Sequence, residues 1–361
     1  MLVRFFAIAL CMTTFCLGQL PDRDALVKKL VEGSSSDSDF ATQELIKHFQ
    51  MGGLRTVVRN LNRLPDEKKI QYMHVLRHMD LFRFRNDLNA NLIEAPNDVA
   101  RMVALRLLAT FGERLNPEIF EPYVANEENP IQLRLAAMSG LIQAQRPAAY
   151  DRFVEIAEKA TFDPITGQDD FAFAEISAEN RGFFLYTKSK LEDKKAPLGA
   201  VMVSIYLAGP RNDDIYTNLL DQRRRKLIPL LIDRAILAGA PNLLELMADH
   251  KTCRKKVDDI KKAMPAARAI ADLKKQFFKH EIQQMPIAPR LDLRPKGSGT
   301  ETGFRSAYGV VKVSDAGEIS VVESFSPFGG SGDLAGKIGN KTFPAFVDWQ
   351  PVESYFLVAT P

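Results

Sequence analysis

Across residues 24–285 apolar positions recur mostly at spacings of three and four, the period of a helix that buries one face, with few stretches of strand-like alternation. Val99, Met102, Val103, Leu105, Leu107 and Leu108 form one such run, and Ile131, Leu133, Leu135, Met138 and Leu141 form another, with Arg106 and Arg134 set among them. The predicted helix ends carry matching punctuation: Asn97 before Asp98, Asn116 before Pro117, and Asn129 before Pro130. An Asn side-chain oxygen accepts from the first free backbone N–H groups, and Pro at the first helical position forgoes an N–H that has no partner there. Gly112 is expected to close the helix that precedes Asn116.

A fixed offset relates these segments. The run Tyr206, Leu207, Ala208, Gly209, Pro210, Arg211, Asn212 returns about thirty positions later as Ile236, Leu237, Ala238, Gly239, Ala240, Pro241, Asn242. Residues 99–104 align loosely with 131–136, and a further helix begins at Ile70. A unit of about 30 residues holds two helices and two tight turns but cannot bury both faces alone, so neighbouring units must stack. Gly suits the turn, because a chain leaving a helix commonly needs a positive φ.

These segments resemble HEAT-like repeats of the short kind. The likeness rests on an apolar helix with an internal Arg and an Ala-rich centre (Val103, Ala104, Leu105, Arg106, Leu107, Leu108; Leu133, Arg134, Leu135, Ala136, Ala137), a turn containing Gly, and a second helix. The resemblance implies an α-solenoid over residues 19–285 that binds macromolecules on a concave face, and it implies no catalytic residue. A generic helical bundle is the alternative. The period breaks at 161–195, an insertion read as a long loop whose Phe171, Phe173, Phe183, Phe184 and Tyr186 pack over the helices. The order of its acidic residues does not fit an EF-hand loop.

Residues 286–303 are rich in Pro and Gly and read as a linker. Beyond it, 304–361 reads as a small antiparallel β unit. Residues 308–313 and 318–322 flank a turn at Ser314, Asp315, Ala316 and Gly317, and two further strands are expected near 343–349 and 354–359. Four strands without disulfides are marginal alone, so the unit should dock on the last helices.

The chain has 361 residues, of which 46% are hydrophobic and 26% charged, which excludes collagen-like, disulfide-dense and wholly disordered classes. Arg4 followed by an apolar run to Leu17 has the layout of a secretory signal peptide over 1–18, shorter than the roughly 20 apolar residues a spanning helix needs. The protein is accordingly expected to be secreted or periplasmic, with no transmembrane segment after signal removal. Cys11 and Cys16 would leave with the signal, so Cys253 remains alone and no disulfide can form within the mature chain. Asn340, Lys341 and Thr342 form the one N-glycosylation acceptor.

Candidate chemistry is sparse. His74 and His78 lie one helical turn apart, but the zinc-protease glutamate is missing, so no metal site is assigned. The Gly-rich stretch 329–337 fails as a phosphate loop, because Ser331 and Ile338 stand where Gly and Ser or Thr are required. Cys253 is flanked by His250, Lys251, Arg254 and Lys255, a setting expected to favour thiolate. No cofactor and no catalytic residue is assigned.

Charge is unevenly spread. Residues 221–296 hold 18 Lys and Arg against 9 Asp and Glu, a net +9 in a chain whose formal net charge is +3. Arg223, Arg224, Arg225 and Lys226, with Arg254, Lys255 and Lys256, form the main clusters, and Lys261, Lys262, Lys274 and Lys275 follow. On stacked helices these can share a face that attracts an anionic partner. The resulting expectation is an exported, non-catalytic binding or scaffold protein that engages a protein partner. The alternatives are recognition of an anionic glycan or lipid surface by the basic helices, and thiol chemistry at Cys253. Nucleic acid is the least expected anion for an exported chain.

Overall fold

The computed structural model describes residues 20–77, 79–144, 146–159, 181–193, 196, 201, 204–205, 213–277, 307–329, 334, 340 and 344–360. Its helices are α1 (Arg23–Glu32), α2 (Ser35–Asn60), α3 (Asp66–Leu76), α4 (Arg85–Ile93), α5 (Asp98–Ala109), α6 (Glu121–Ala125), α7 (Ile131–Gln143), α8 (Ala148–Lys159), α9 (Arg181–Lys190), α10 (Asp213–Asp221), α11 (Ile228–Ala238), α12 (Pro241–Asp249) and α13 (Val257–Phe277). Five strands follow: β1 (Ala307–Val313), β2 (Ile319–Phe325), β3 (Ala345–Val347), β4 (Gln350–Val352) and β5 (Ser354–Thr360). The protein is therefore mainly helical, with a small three-stranded antiparallel sheet near the C-terminus. The expected signal peptide and linker, and the first copy of the repeated run at 206–212, lie outside the described residues.

Helix starts follow the local chemistry in two of the three expected places. The Asn97 side chain accepts from the Ala100 N–H at 2.9 Å and opens α5. Asn116 accepts from the Glu118 N–H at 3.1 Å, but the element it opens is a 3-10 turn, Pro117–Ile119. Asn129 caps nothing. Pro130 itself is extended at φ −52° and ψ 141° and takes the cap position, and the Asn129 amide instead donates to the Tyr123 carbonyl at 2.9 Å.

Two glycines set sharp changes of direction. The halves of α2, 35–49 and 51–60, meet at a kink where Gln50 has φ 47°, and a Cβ on Gly53 would lie 1.8 Å from the Leu45 carbonyl oxygen. Gly239 ends α11 at φ 63°, where a Cβ would come within 2.9 Å of the Ala271 backbone on α13. Only glycine meets both requirements without a shift of the neighbouring chain.

Helices pack on their successors and on the helix after that. α2 rests on α4, α3 and α4 on α5, α5 and α6 on α7, α10 and α11 on α12, and α11 and α12 on α13. Side-chain hydrogen bonds between segments packed in this way repeat the sequence period. Lys68 reaches Asp39 (2.7 Å), Tyr72 bonds Thr42 (2.9 Å), Asn62 donates to the Asn91 carbonyl (2.9 Å) and Asn97 to Asp66 (3.0 Å), spans of 29 to 31 residues. Farther along, Gln222 donates to the Leu191 carbonyl (2.5 Å), Thr252 to the Leu220 carbonyl (2.9 Å) and Asn242 to Asp213 (3.2 Å), spans of 29 to 32. Buried carbonyls near helix ends are thus satisfied from the neighbouring segment, which spares the cost of an unpaired polar group.

The internal arginines of the two apolar runs are inside. Arg106 on α5 and Arg134 on α7 are only 6% and 7% exposed. The Arg134 Nε has no acceptor among the described residues.

Part of the 161–195 insertion is a helix and not a loop. Residues 161–180, with Phe171 and Phe173, lie outside the described residues, but Phe183, Phe184 and Tyr186 sit on α9. Phe183 is fully buried, 5.1 Å from the Tyr150 ring and 5.3 Å from the Phe153 ring on α8. Spacing of three and four between Phe183, Tyr186 and Lys190 places them on one helical face. There Tyr186 donates to Asp151, and Lys190 reaches the same carboxylate at 3.2 Å. Burial, and then the bond to Asp151, push the Tyr186 phenol up to about 12.

The C-terminal strands differ from the expected four-stranded arrangement. β1 is central, paired antiparallel with β2 on one side and β5 on the other, so the hairpin 307–325 forms as its sequence indicates. The strand expected near 343–349 does not join the sheet. Its chain reverses at once through Asp348 (φ 48°) and Trp349 (φ 65°), and β3 pairs with β4 as a separate ribbon. Ala307, Val311, Val313, Phe356 and Val358 on one face of the sheet gather under Leu334, while Tyr308 and Leu357 turn toward the helical core.

The β unit touches helices from early and late in the chain. β1 packs on α13, Phe277 stacks on Tyr355 with ring centroids 4.4 Å apart, and β4 packs on α2. Docking on the last helices therefore holds as expected. The additional contact with α2 is a tertiary relationship that no local pattern shows.

Candidate anion-binding surface

Of the basic residues singled out in the sequence, Lys261, Lys262, Lys274 and Lys275 lie on α13, but the two main clusters do not lie on long helices. Arg223 and Arg224 occupy the connection after α10, Arg225 opens a 3-10 turn at Arg225–Leu227, and Arg254, Lys255 and Lys256 end another at Lys251–Lys256. Polar runs interrupt the apolar period at both places, leaving only Leu227 in the first and Thr252 and Cys253 in the second buried, in short 3-10 elements.

The second turn meets the end of α10, just ahead of the first turn in the chain. Asp221, the last residue of α10, lies 3.2 Å from the His250 ring at the entry to the second turn. Thr252 within that turn donates to the Leu220 carbonyl at 2.9 Å, and its own N–H is held by His250 Nδ1 at 3.2 Å. The first turn is pinned on its other side. Arg224 donates to the Ala196 carbonyl at 2.6 Å and to Gln222 at 3.0 Å, and burial draws its guanidinium below the usual arginine range.

These contacts sort the cations. Arg224 is half-buried and serves the backbone, and Lys256 is paired with Asp259 at 2.9 Å. The Lys226 side chain lies outside the described residues. Farther along, Lys274 is partly buried and donates to the Leu237 carbonyl at 2.6 Å, its ammonium pulled down by desolvation, and Lys275 pairs with Asp272 at 3.3 Å. Of the two main clusters, Arg223, Arg225, Arg254 and Lys255 are exposed and make no ion pair among the described residues, and the same holds for Lys251 beside them and for Lys261 and Lys262 on α13. Arg223 is held at φ 57°, a left-handed conformation that non-glycine residues rarely adopt.

Cys253 reverses its expected chemistry. The basic neighbours point outward while the thiol turns in and is fully buried, and desolvation pushes its pKa up to about 11. Thiolate is disfavoured there, and a buried thiol behaves as a small apolar group. Of the histidine pair, His78 and the His74 side chain lie outside the described residues. Among the described residues no group of three or more His, Cys, Asp or Glu is placed to hold a metal ion. Nor is any helix there long and apolar enough to cross a membrane.

Sequence reasoning missed two buried polar clusters. In the first, Asp39 accepts from Lys68 at 2.7 Å and from Tyr72 at 3.1 Å, and burial raises the Tyr72 phenol far above its ordinary value. The separation of 29 residues between Asp39 and Lys68 is the repeat period, so the period itself was the available signal. In the second, Tyr308 donates to Asp233 across 75 residues, and nothing in the sequence announces it.

What the fold defines is a mainly helical protein with a small docked three-stranded antiparallel sheet. Compared with models of protein families, with curated proteins and with solved structures, the chain finds no match.

Proposed function

We propose that this chain is an exported, non-catalytic binding or scaffold protein. In this reading its helices stack as HEAT-like pairs into an α-solenoid, and a macromolecular partner, most simply another protein, is held on the surface of the stack. The observation that carries the reading is the recurrence of hydrogen bonds between packed segments at spans of 29 to 32 residues, from Lys68 with Asp39 to Thr252 with the Leu220 carbonyl. A stack of such units offers an extended surface rather than a closed pocket, which suits recognition of a large partner.

The test uses the full chain as bait in the extracellular or periplasmic fraction of its source. Saturable capture of a defined protein that persists at about 0.5 M salt, where screening leaves a range of only a few Å, supports the reading. Hydrogen exchange on the reconstituted complex should then show protection on helices between residues 23 and 277. Capture that vanishes at that salt, or protection confined to the β unit, overturns it.

A second reading, recognition of an anionic glycan or lipid surface, is favoured by one observation. Arg223, Arg225, Arg254 and Lys255 are exposed on these two turns without ion-pair partners among the described residues.

A further inference from the structure

We infer that the turns 222–227 and 251–256 form a binding surface for a linear sulfated polysaccharide, with Arg223, Arg225, Arg254 and Lys255 as its contact residues. This inference rests on the second reading above and narrows it from any anionic surface to one ligand class.

Three features support the surface. First, it is preorganised. Arg224 ties the first turn to the Ala196 carbonyl, Thr252 ties the second to Leu220, and His250 meets Asp221 between them. A ligand that meets fixed cations loses less of its interaction energy to ordering the protein. Second, Arg254 follows Arg223 by 31 residues and Lys255 follows Arg225 by 30, offsets within those of the bonds that join the two segments, 29 for Asp221 with His250 and 32 for Leu220 with Thr252. Packed neighbouring elements lie about 8–10 Å apart, a span that successive charges of a linear polyanion can bridge. Third, three of the four are arginines, whose planar guanidinium forms two parallel hydrogen bonds to an oxyanion such as a sulfate group.

Competing anions fit less well. Binding at a membrane interface draws on apolar side chains as well as charge. Among the described residues the exposed large hydrophobics are Leu20, Phe40, Ile93, Leu185 and Val322, and none of these lies on either turn. Single-stranded nucleic acid needs aromatic platforms for its bases. Residues 222–227 and 251–256 contain no Phe, Tyr or Trp.

The experiment measures binding of the full chain to immobilised heparin, to vesicles of phosphatidylserine and phosphatidylcholine, and to duplex DNA of mixed sequence, each over a series of salt concentrations. The variant Arg223→Gln/Arg225→Gln/Arg254→Gln/Lys255→Gln removes the four contacts. Its control, Lys28→Gln/Lys47→Gln/Arg63→Gln/Arg83→Gln, removes the same charge from exposed positions within residues 23–93, two on helices and two on 3-10 turns. The result expected is salt-dependent heparin binding, stronger than binding to either other probe, lowered at least tenfold by the first variant and less than threefold by the control. Circular dichroism and thermal unfolding of both variants should match the parent, because all eight side chains are exposed.

Equal losses in the two variants, or no loss in the first, overturn the inference while leaving anionic recognition in place elsewhere on the chain. Vesicle or DNA binding at least as strong as heparin binding also overturns it, in favour of that anion. Absence of binding to all three probes overturns the second reading together with the inference.

Discussion

The hydroxyl of Tyr308 on β1 donates a 2.8 Å hydrogen bond to Oδ1 of Asp233 on α11, and both side chains are buried. This contact joins residues 75 positions apart and sets the sheet against the helices. Around it Tyr216 donates to the Leu231 carbonyl at 3.1 Å, and the Arg234 Nε stands 4.0 Å from the other Asp233 oxygen.

Tyr308→Phe removes the donor and keeps the ring. A buried carboxylate that loses a hydrogen bond costs about 1–3 kcal/mol. The variant is expected to unfold at lower urea concentration and lower temperature, and limited proteolysis should release the C-terminal β unit earlier than in the parent. Unfolding and proteolysis identical to the parent would show that the bond does not anchor the sheet.

Asp87 on α4 lies between Arg55 and Arg59 on α2, 2.8 Å from each. Burial alone would raise its pKa, but hydrogen bonds from Arg59 and Arg55 and their charges outweigh that, and the carboxyl titrates below its ordinary value. A depressed folded pKa contributes stability above the unfolded value, near 3.9, and that stability is lost as the pH falls through the folded one. Because both arginines are about half exposed, Asp87→Asn should cost only about 1 kcal/mol at pH 7. Denaturation curves at pH 7 and at about pH 2.5 check this: the parent and the variant should converge at the lower pH.

Cys253 should be inert. At pH 8 native protein is expected to react with a thiol reagent far more slowly than urea-unfolded protein, because the group is buried and protonated. A folded pKa of about 11 against an ordinary 9.0 also favours the folded state up to about pH 9 and withdraws that contribution as the pH rises from there toward 11. Cys253→Ala should flatten this part of the alkaline stability profile. Rapid stoichiometric labelling of native protein would restore the thiol as a candidate nucleophile.

Arg134 holds a nearly buried guanidinium whose Nε lacks an acceptor among the described residues. Replacing a buried charge by an apolar side chain of similar length is often neutral or stabilising. Arg134→Met is therefore expected to leave stability unchanged or raise it by about 1 kcal/mol in a thermal unfolding assay. A loss of more than about 2 kcal/mol would mean that the arginine is needed for the α7 packing.

Legibility along the chain follows how local each determinant is. The α5 start at Asn97 and the α11 end at Gly239 could be read from sequence, because a cap depends on residues within one turn of it. The hairpin 307–325 could be read for the same reason. Asn129 could not: whether its amide caps or donates backward to Tyr123 depends on the extended conformation of Pro130. The basic residues were legible as charge but not as a surface. Which of them stay exposed is decided by partners such as the Ala196 carbonyl and Asp259. At Cys253 the flanking residues pointed the wrong way, because sequence neighbours in a 3-10 turn face different directions and the thiol faces the core.

By itself the sequence determined the helical class, the period of about thirty residues and the hairpin, because side-chain periodicity and turn chemistry act over a few bonds. Tertiary structure alone decided that β5 rather than β3 completes the sheet, that β4 reaches α2, that Tyr308 meets Asp233, and that Arg224 and Lys256 are engaged by neighbours while Arg223, Arg225, Arg254 and Lys255 are not ion-paired among the described residues. Those outcomes depend on burial and on groups brought together from distant segments, and a buried polar atom must take whatever partner the packing supplies.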